Sequence, residues 1–509
     1  MREHGKEKMR NPRILIVTPE ITYLPEGMGN LAGKMSAKAG GMADVSASLV
    51  QALHRLGADV HVALPHYRRM FHVETAQLVA DELRKYKSHL PDERIHLAED
   101  RCFYYRDTVY SRGDGNVKLA LAFQREVVNN IIPRVQPDLI HCNDWMTGLV
   151  PAAARREGIP CLFTVHNIHT QKLTLAQIED AGIDAAEFWM HLYYGYPPYN
   201  YEESRNQNLI DLQASGCFAA HFINTVSPTF LKEIVNGWHS FIPDSIRSEI
   251  RNKYNAGCAE GILNAPDSAD NPLTDTKIPF NYGPDGHAGM KRQNKLALQH
   301  ALGLEENADR ALFFWPSRLD PVQKGPQLLT DIAYRFLEKH PDAQLAVIAN
   351  GPYQQPFWDI QSFHGIADRL AVHNFDGRLS ALGFAGSDFT LMPSLFEPCG
   401  LPQMQAPIYG SLAVAHNTGG LHDTVEPLDA QKSSGNGFVF DTYDSNGLFW
   451  AMDQAMDFFH APAELRAREV SRIMAESVRR FNHEACAKEY IKLYERMLDR
   501  PLVKKPRSE

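Results

Sequence analysis

This 509-residue sequence lacks most of the marks of an extracellular, membrane-bound or nucleic-acid-binding protein. Its seven cysteines (102, 142, 161, 217, 258, 399 and 486) are odd in number and scattered, and no Cys-x-x-Cys pair occurs. This leaves neither a disulfide frame nor a cysteine zinc site, and the thiols read as reduced. There is no basic excess and no long basic run: the net charge is -9, which argues against a general binder of nucleic acid or anionic membranes. No uninterrupted apolar run approaches the roughly 20 residues that span a bilayer. The opening residues, Met1 to Lys8, mix both signs of charge, and the apolar run Ile14 to Val17 is far too short for a signal peptide. A cytoplasmic protein is expected. A dinucleotide oxidoreductase would need Gly-x-Gly-x-x-Gly after the first strand, where Pro19-Glu20-Ile21 stands instead. Internal repeats and low-complexity tracts are not evident.

The composition is 44% apolar and 22% charged, ordinary for globular protein, and the chain is too long for one core. In the first half, Arg13–Thr18, Asp59–Leu64, Pro137–His141, Leu162–Val165 and His221–Val226 read as strands, with a helix over Val45–Leu56. In the second half, Ala311–Trp315, Ala343–Ile348, Asp388–Met392 and Ser411–Ala415 repeat the theme. Short apolar strands without alternation, separated by helices, are the pattern of parallel sheets covered on both faces. The stretch Ala265–Gly289 is rich in Pro, Asn, Asp and Gly, has no periodicity, and reads as a linker. The expected fold is α/β: two Rossmann-like domains facing an interdomain cleft, with ligands beyond the carboxyl ends of the strands. The boundaries expected are 1–270, 271–480 and a C-terminal helix in 481–509 that crosses back to the first domain.

The chemistry concentrates at strand ends. Leu395-Phe396-Glu397-Pro398-Cys399-Gly400-Leu401 and Thr418-Gly419-Gly420-Leu421 each put glycine and a polar group at a strand-to-helix junction. Backbone N–H groups at such junctions hold phosphates or dense sets of hydroxyls. Two in tandem, with the Glu397 carboxylate between strand and helix, suit a site for a sugar and a diphosphate together. Arg318 and Lys324 lie in a loop after a strand, where fixed cations would stabilise a departing diphosphate. Lys38-Ala39-Gly40-Gly41 opens the first long helix; it suits an anion, and a plain helix start accounts for it equally. Asp144 and His166 follow two successive strands and are candidates for hydroxyl recognition, with capping or structural roles as the alternative. The Cys399 side chain reads as a small buried group.

These segments, from Lys38 to Val425 and in order, resemble those of bacterial glycogen synthases and plant starch synthases. That family, glycosyltransferase family 5, comprises retaining glucosyltransferases of the two-domain GT-B type. The resemblance implies transfer of glucose from ADP-glucose or UDP-glucose to the non-reducing 4-hydroxyl of an α-1,4-glucan. It implies no metal and no cofactor beyond the nucleotide-sugar co-substrate, and no nucleic-acid or membrane partner; the oligomeric state stays open. By the same resemblance Lys38, Gly40 and Gly41 would approach the donor phosphates. Arg318 and Lys324 would bind the diphosphate, with Thr418 and Gly419 reinforcing it. Glu397 and the backbone of Cys399, Gly400 and Leu401 would hold the glucose, His166 its O6 side, and Asp144 would lie near the acceptor. Asn264 matches the family's cleft asparagine, and Phe375 falls where an aromatic ring stacks on the base. No protein nucleophile is evident, so the departing phosphate would take the acceptor's proton.

The sequence departs from the family pattern mostly on the acceptor and base sides. Asn143-Asp144-Trp145-Met146 replaces His-Asp-Trp-His, and Thr170 replaces a tyrosine. Asn264-Ala265-Pro266-Asp267 replaces Asn-Gly-Ile/Val-Asp, and the segment around Phe375 lacks the family's Glu and His-Arg. A glycine-rich loop, 25–33, is inserted as a lid or a solvated turn. Two other readings stand beside the synthase: a GT-B transferase with a smaller acceptor, and a non-catalytic glucan-binding homologue. Gln405 stands where sucrose- and trehalose-type enzymes carry a second glutamate, and intact Arg318, Lys324 and Glu397 speak against the binding homologue.

Overall fold

The computed structural model describes residues 10–29, 32, 35–38, 41–71, 94–110, 114–351 and 353–503. The chain forms two compact units, one comprising Met1–Val226, Leu231–Ile262 and Cys486–Glu509, the other Ser227–Phe230 and Leu263–Ala485.

The strands of the first unit are β1 (Arg13–Val17), β2 (Asp59–Pro65), β3 (Ile95–Ala98), β4 (Leu139–Asn143), β5 (Cys161–Val165), β6 (Lys172–Leu173), β7 (Ile210–Asp211), β8 (Phe222–Thr225) and β9 (Ala259–Gly261). Seven of them build one sheet in the order β3-β2-β1-β4-β5-β8-β9. Every pairing in it is parallel, while β6 and β7 form a small antiparallel pair. All five residues of β4 and of β5 are buried. That is why these strands read as continuous apolar runs: both faces are covered.

Buried polar side chains nevertheless cross this sheet as a satisfied chain. Tyr494 lies in the C-terminal helix His483–Leu498 and donates to His141 Nδ1 at 2.7 Å. His141 Nε2 bonds Thr164 Oγ1 at 2.5 Å, Thr164 bonds Asn224, and Asn224 Nδ2 donates to Tyr490 of the same helix at 3.0 Å. Burial pushes the His141 imidazole down to about 3, so it stays neutral, as this direction of donation requires. Arg496 adds an ion pair to Glu260 at 2.6 Å. The C-terminal helix therefore packs back on the first unit, as expected, through polar as well as apolar contacts.

The second unit contains β10 (Ala311–Trp315), β11 (Ala343–Ile348), β12 (Leu370–His373), β13 (Phe389–Met392), β14 (Leu412–His416) and β15 (Gly437–Phe440). They form one sheet in the order β12-β11-β10-β13-β14-β15, again with every pairing parallel. Apolar side chains fill both faces. Phe313, Phe336 and Phe389 lie in one cluster; Phe314, Phe384 and Tyr409 lie in the other.

The segment with linker composition is not loose. Ile278 and Tyr282 are buried in the second of these clusters. The Tyr282 hydroxyl lies 2.8 Å from Tyr409 O and 3.2 Å from Ala385 O, and Tyr409 donates to Asp275 at 2.7 Å. The described part of the 25–33 loop is likewise anchored, with Met28 and Ala32 buried and Arg94 N donating to Met28 O at 2.9 Å. Among the described residues no helix is long and apolar enough to cross a membrane.

Candidate active site

In the second unit, the loops that leave the carboxyl ends of β10 to β14 gather most of the expected donor residues. Beyond β10 the turn is held by Trp315 Nε1, which donates to Ser317 O at 2.7 Å, and by Asp320 Oδ1, which accepts from Val322 N at 2.9 Å. The chain then reaches Gly325 with φ of 73°. A Cβ there would lie 2.2 Å from Pro393 O, so only glycine lets the β10 loop lie against the β13 loop. Leu395 N donates to Gln323 O at 2.8 Å across the same contact.

This approach delivers Lys324 to Glu397, Nζ to Oε2, at 2.5 Å. Ser394 Oγ donates to the same carboxylate oxygen at 3.0 Å. Glu397 is 5% exposed, so its charge is compensated almost wholly by the protein. The sequence reading gave Lys324 to the diphosphate and Glu397 to the sugar as separate duties. The structure joins them into one pair.

The two glycine-bearing motifs also touch directly. Gly420 N donates to Glu397 O at 2.9 Å, and a Cβ on Gly420 would sit 2.0 Å from Cys399 O. Gln403 Nε2 donates to Cys399 O at 2.8 Å and to Gly400 O at 3.1 Å, fixing the loop from below. Leu401 stands at the N-cap of the helix Pro402–Ile408 and Thr418 at the N-cap of Gly419–Thr424.

Arg318 is exposed and has no ion-pair partner among the described residues. Next to it, Leu319 N donates to Asn350 O at 3.2 Å. Asn350 Oδ1 accepts from Phe375 N at 2.9 Å, and the Phe375 ring is 55% exposed. Asn350, a residue that strand-end reasoning passed over, thus holds the backbone of both Leu319, which follows Arg318, and Phe375. Asn264 also belongs to this unit. It is buried, and its Oδ1 has no hydrogen-bond partner among the described residues.

In the first unit, Asp144 and His166 are brought together at the ends of β4 and β5. Asp144 has φ of 55° and ψ of 179°, a strained conformation for any residue other than glycine. Its carboxylate accepts from His166 N at 2.8 Å, Asn167 Nδ2 at 2.7 Å and Asn167 N at 3.4 Å. Burial outweighs these bonds and pushes the Asp144 carboxyl up to about 7, with Glu20 adding repulsion. Burial lowers His166 to about 4, leaving a neutral ring at pH 7. Asn143 Oδ1 lies 2.8 Å from His166 Nε2, and Asn143 Nδ2 donates to Val17 O at 3.1 Å. That fixes the amide, so Nε2 carries the proton and Nδ1 is left as an acceptor. The asparagine that replaces a family histidine therefore sets the tautomer of His166.

Lys38 pairs with Asp44 in the first turn of the helix Gly41–Arg55 at 2.6 Å. Gly41 begins that helix, while Gly40 lies outside the described residues. Thr170 Oγ1 donates to Asp211 Oδ1 at 2.6 Å, a structural use of a position where the family has tyrosine. Asn143, Asn167, Ser394 and Asn350 were not foreseen. Their signal, polar side chains just past buried strands, is present in the sequence but shared by many capping residues. Among the described residues no group of three or more His, Cys, Asp or Glu side chains is placed to hold a metal ion.

Comparison with known proteins gives a consistent assignment. Residues 13–242 match the family model for the starch synthase catalytic domain, and residues 303–468 that for glycosyl transferases group 1. A glycogen synthase of Cellvibrio japonicus is 34% identical over 90% of this chain and 96% of its own. One of Moorella thermoacetica is 32% identical, covering 96% of this chain and 97% of its own. The catalytic domain of starch synthase IV from Arabidopsis thaliana, solved with ADP and acarbose, is similar with a TM-score of 0.76 and 25% identity over 96% of this chain and all of that one. A sucrose-phosphate synthase from Thermosynechococcus elongatus shares the fold alone, at 18% identity and a TM-score of 0.57. The chain belongs to the glycogen synthase family of glycosyltransferases.

Proposed function

We propose that this enzyme transfers glucose from ADP-glucose to the non-reducing end of an α-1,4-glucan with retention of the anomeric configuration. The observation that carries the reading is the Lys324–Glu397 pair, 2.5 Å apart and shielded among the loops beyond β10, β13 and β14. Family membership and the ADP bound to the Arabidopsis starch synthase support the choice of nucleotide.

Breaking the glycosidic bond moves negative charge onto the diphosphate. The planar fork of Arg318 suits two phosphate oxygens, and the ammonium of Lys324 has three protons, only one of which Glu397 Oε2 occupies. A preformed pair needs little reorganisation when that charge develops. Glu397 Oε1 is then available to glucose hydroxyls, and the backbone of Cys399 to Leu401 lies beside it. The exposed Phe375 ring offers a stacking surface for the base. Asn264, whose buried acceptor lacks a partner among the described residues, suits a hydroxyl of the donor sugar. His166 Nδ1, held as an acceptor, suits the O6 hydroxyl, and Asp144 the acceptor side. No side chain in this set is positioned by its chemistry as a nucleophile, and the leaving phosphate takes the acceptor's proton.

The test is transfer of radiolabelled glucose from ADP-glucose and, separately, UDP-glucose into glycogen and short maltooligosaccharides. Incorporation from ADP-glucose is expected. Incorporation only from UDP-glucose would correct the nucleotide, and donor hydrolysis without incorporation would correct the acceptor. Consumption of neither donor would reject the reading.

A further inference from the structure

The amino-terminal edge of the second unit's sheet holds a cavity of about 480 Å³ that the donor residues do not use. Its walls are the helix His287–Leu302, the first turn of the helix Ala463–Arg480 and the starts of β13 and β14. Much of the lining is small or apolar, with Ala308, Ala467 and Val470 among it.

Cations converge on this space. Lys291 and Lys295, one helical turn apart, are on the same face of His287–Leu302. Lys291 Nζ donates to Ala385 O, Ser387 O and Tyr409 O at 3.0, 2.8 and 2.9 Å, and burial lowers its ammonium to about 7, so it offers the cavity neither a free proton nor a full charge. Lys295 is paired with Asp388 at 2.6 Å, and Arg292 forks onto Asp309 at 2.6 and 3.1 Å. Arg466 is different. Its guanidinium lies 5.0 Å from the Phe459 ring centre, and among the described residues its buried Nε has no hydrogen-bond partner and no carboxylate pairs with it. The exposed Asp309 acts as a gauge of the local potential: Arg292 first, then Lys295 and Arg466, hold its carboxyl below the ordinary range.

The helix that carries Arg466 presents its N-terminal turn to the cavity, and its N-cap, Pro462, provides no side-chain acceptor; Glu464 in the same turn is exposed and does not line the cavity, and it offsets part of the dipole. Carboxylates are present too: Asp342, which pairs with His460 at 2.7 Å, and Asp309 suit hydroxyl groups and disfavour a second phosphate.

We infer that this cavity binds a small phosphate monoester on a hydroxylated body, with the phosphate on Arg466. A volume of this order accommodates such a molecule. The site is also linked to the donor loop. Gly410 lines the cavity, Lys291 holds Tyr409 O, and both residues close the helix Pro402–Ile408 that begins directly after Leu401.

The experiment is isothermal titration of the full-length protein with ribose 5-phosphate, with inorganic phosphate and ribose as separate probes, in the presence of saturating ADP. One-site binding of ribose 5-phosphate is expected under ADP, weaker binding of phosphate, and none of ribose. Arg466→Ala is expected to weaken ribose 5-phosphate at least tenfold, and Arg466→Glu to abolish it, while both keep the wild-type melting temperature within a few degrees. Absence of binding in the wild type, or loss of binding when ADP is added, overturns the inference without recourse to any variant. Equal affinity in Arg466→Ala overturns it as well.

Discussion

Replacing Asp144 by Asn tests how the first unit accommodates its most unusual carboxylate. The change keeps the shape and leaves the same strained backbone (φ of 55°, ψ of 179°), whose cost Asn and Asp share to a first approximation. It removes only the charge. In the wild type, burial raises the carboxyl from an ordinary 3.8 to about 7 despite three hydrogen bonds from His166 and Asn167. The sign follows from proton binding. Between these two values the folded protein holds a proton that the unfolded chain has lost, so stability is full below the unfolded value and falls until pH passes the folded one. The whole rise corresponds to about 4 kcal/mol, of which about 3 kcal/mol falls between pH 5 and pH 8. Asn carries no such dependence. Its amide meets the Asn167 amide and forces one of them to turn over, a cost that does not vary with pH. The difference in melting temperature, variant minus wild type, is therefore expected to climb by about 5 °C or more between pH 5 and pH 8, taking roughly 2 °C per kcal/mol for a unit of this size. Differential scanning calorimetry at half-unit pH steps measures it. A difference that stays flat, or falls with pH, would refute the claim that Asp144 ionises with difficulty.

Three further outcomes follow from local geometry. Gly420→Ala puts a methyl group 2.0 Å from Cys399 O, and is expected to cost about 1–3 kcal/mol or more and to cut turnover sharply; Gly289→Ala, whose Cβ meets nothing within 4 Å in the helix His287–Leu302, is the sterically open control, expected to keep the wild-type rate and to stabilise by about 0.5–1 kcal/mol in the same denaturation and rate assays. Phe375→Ala is expected to raise KM for the nucleotide sugar about tenfold with kcat little changed, the loss of one stacking contact of about 1–3 kcal/mol, and steady-state kinetics separates the two constants. Tyr494→Phe removes the 2.7 Å bond to His141 and leaves a buried ring nitrogen unsatisfied, at about 1–3 kcal/mol in chemical denaturation, with wild-type KM values.

The strands were legible where burial on both faces makes them continuous apolar runs, as in Ala311-Leu312-Phe313-Phe314-Trp315. They were not legible where they are short and ambiguous. Ile95-His96-Leu97-Ala98 carries a histidine, and Gly437-Phe438-Val439-Phe440 opens on glycine after a polar loop; both are strands only because a neighbour supplies the ladder. The packing of the stretch 265–289, which follows directly on the boundary between the two units, was not legible for a related reason. The segment has no periodicity, yet Tyr282 is buried through hydroxyl bonds to Ala385 and Tyr409, more than 100 residues away. Among the candidate site residues, Glu397 and the glycines beside it stand out through local chemistry alone. The pairing of Glu397 with Lys324 spans 73 residues and depends on Gly325 lying against Pro393 O, which no local pattern reveals. Asn143 looked like a loss, because it replaces a histidine, until its two hydrogen bonds showed it fixing the His166 tautomer.

The central claim is that the loops beyond β10 to β14 stabilise a departing diphosphate, and Arg318→Ala tests it most directly. Arg318 is exposed and has no ion-pair partner among the described residues, so its loss has no structural consequence to confuse with a chemical one. The measurement is the initial rate of glucose incorporation from saturating ADP-glucose into glycogen, beside the melting temperature of each protein. The account predicts a rate lower by about two orders of magnitude or more at an unchanged melting temperature, the usual scale for removing one preorganised contact to developing charge. A rate near that of the wild type would contradict it.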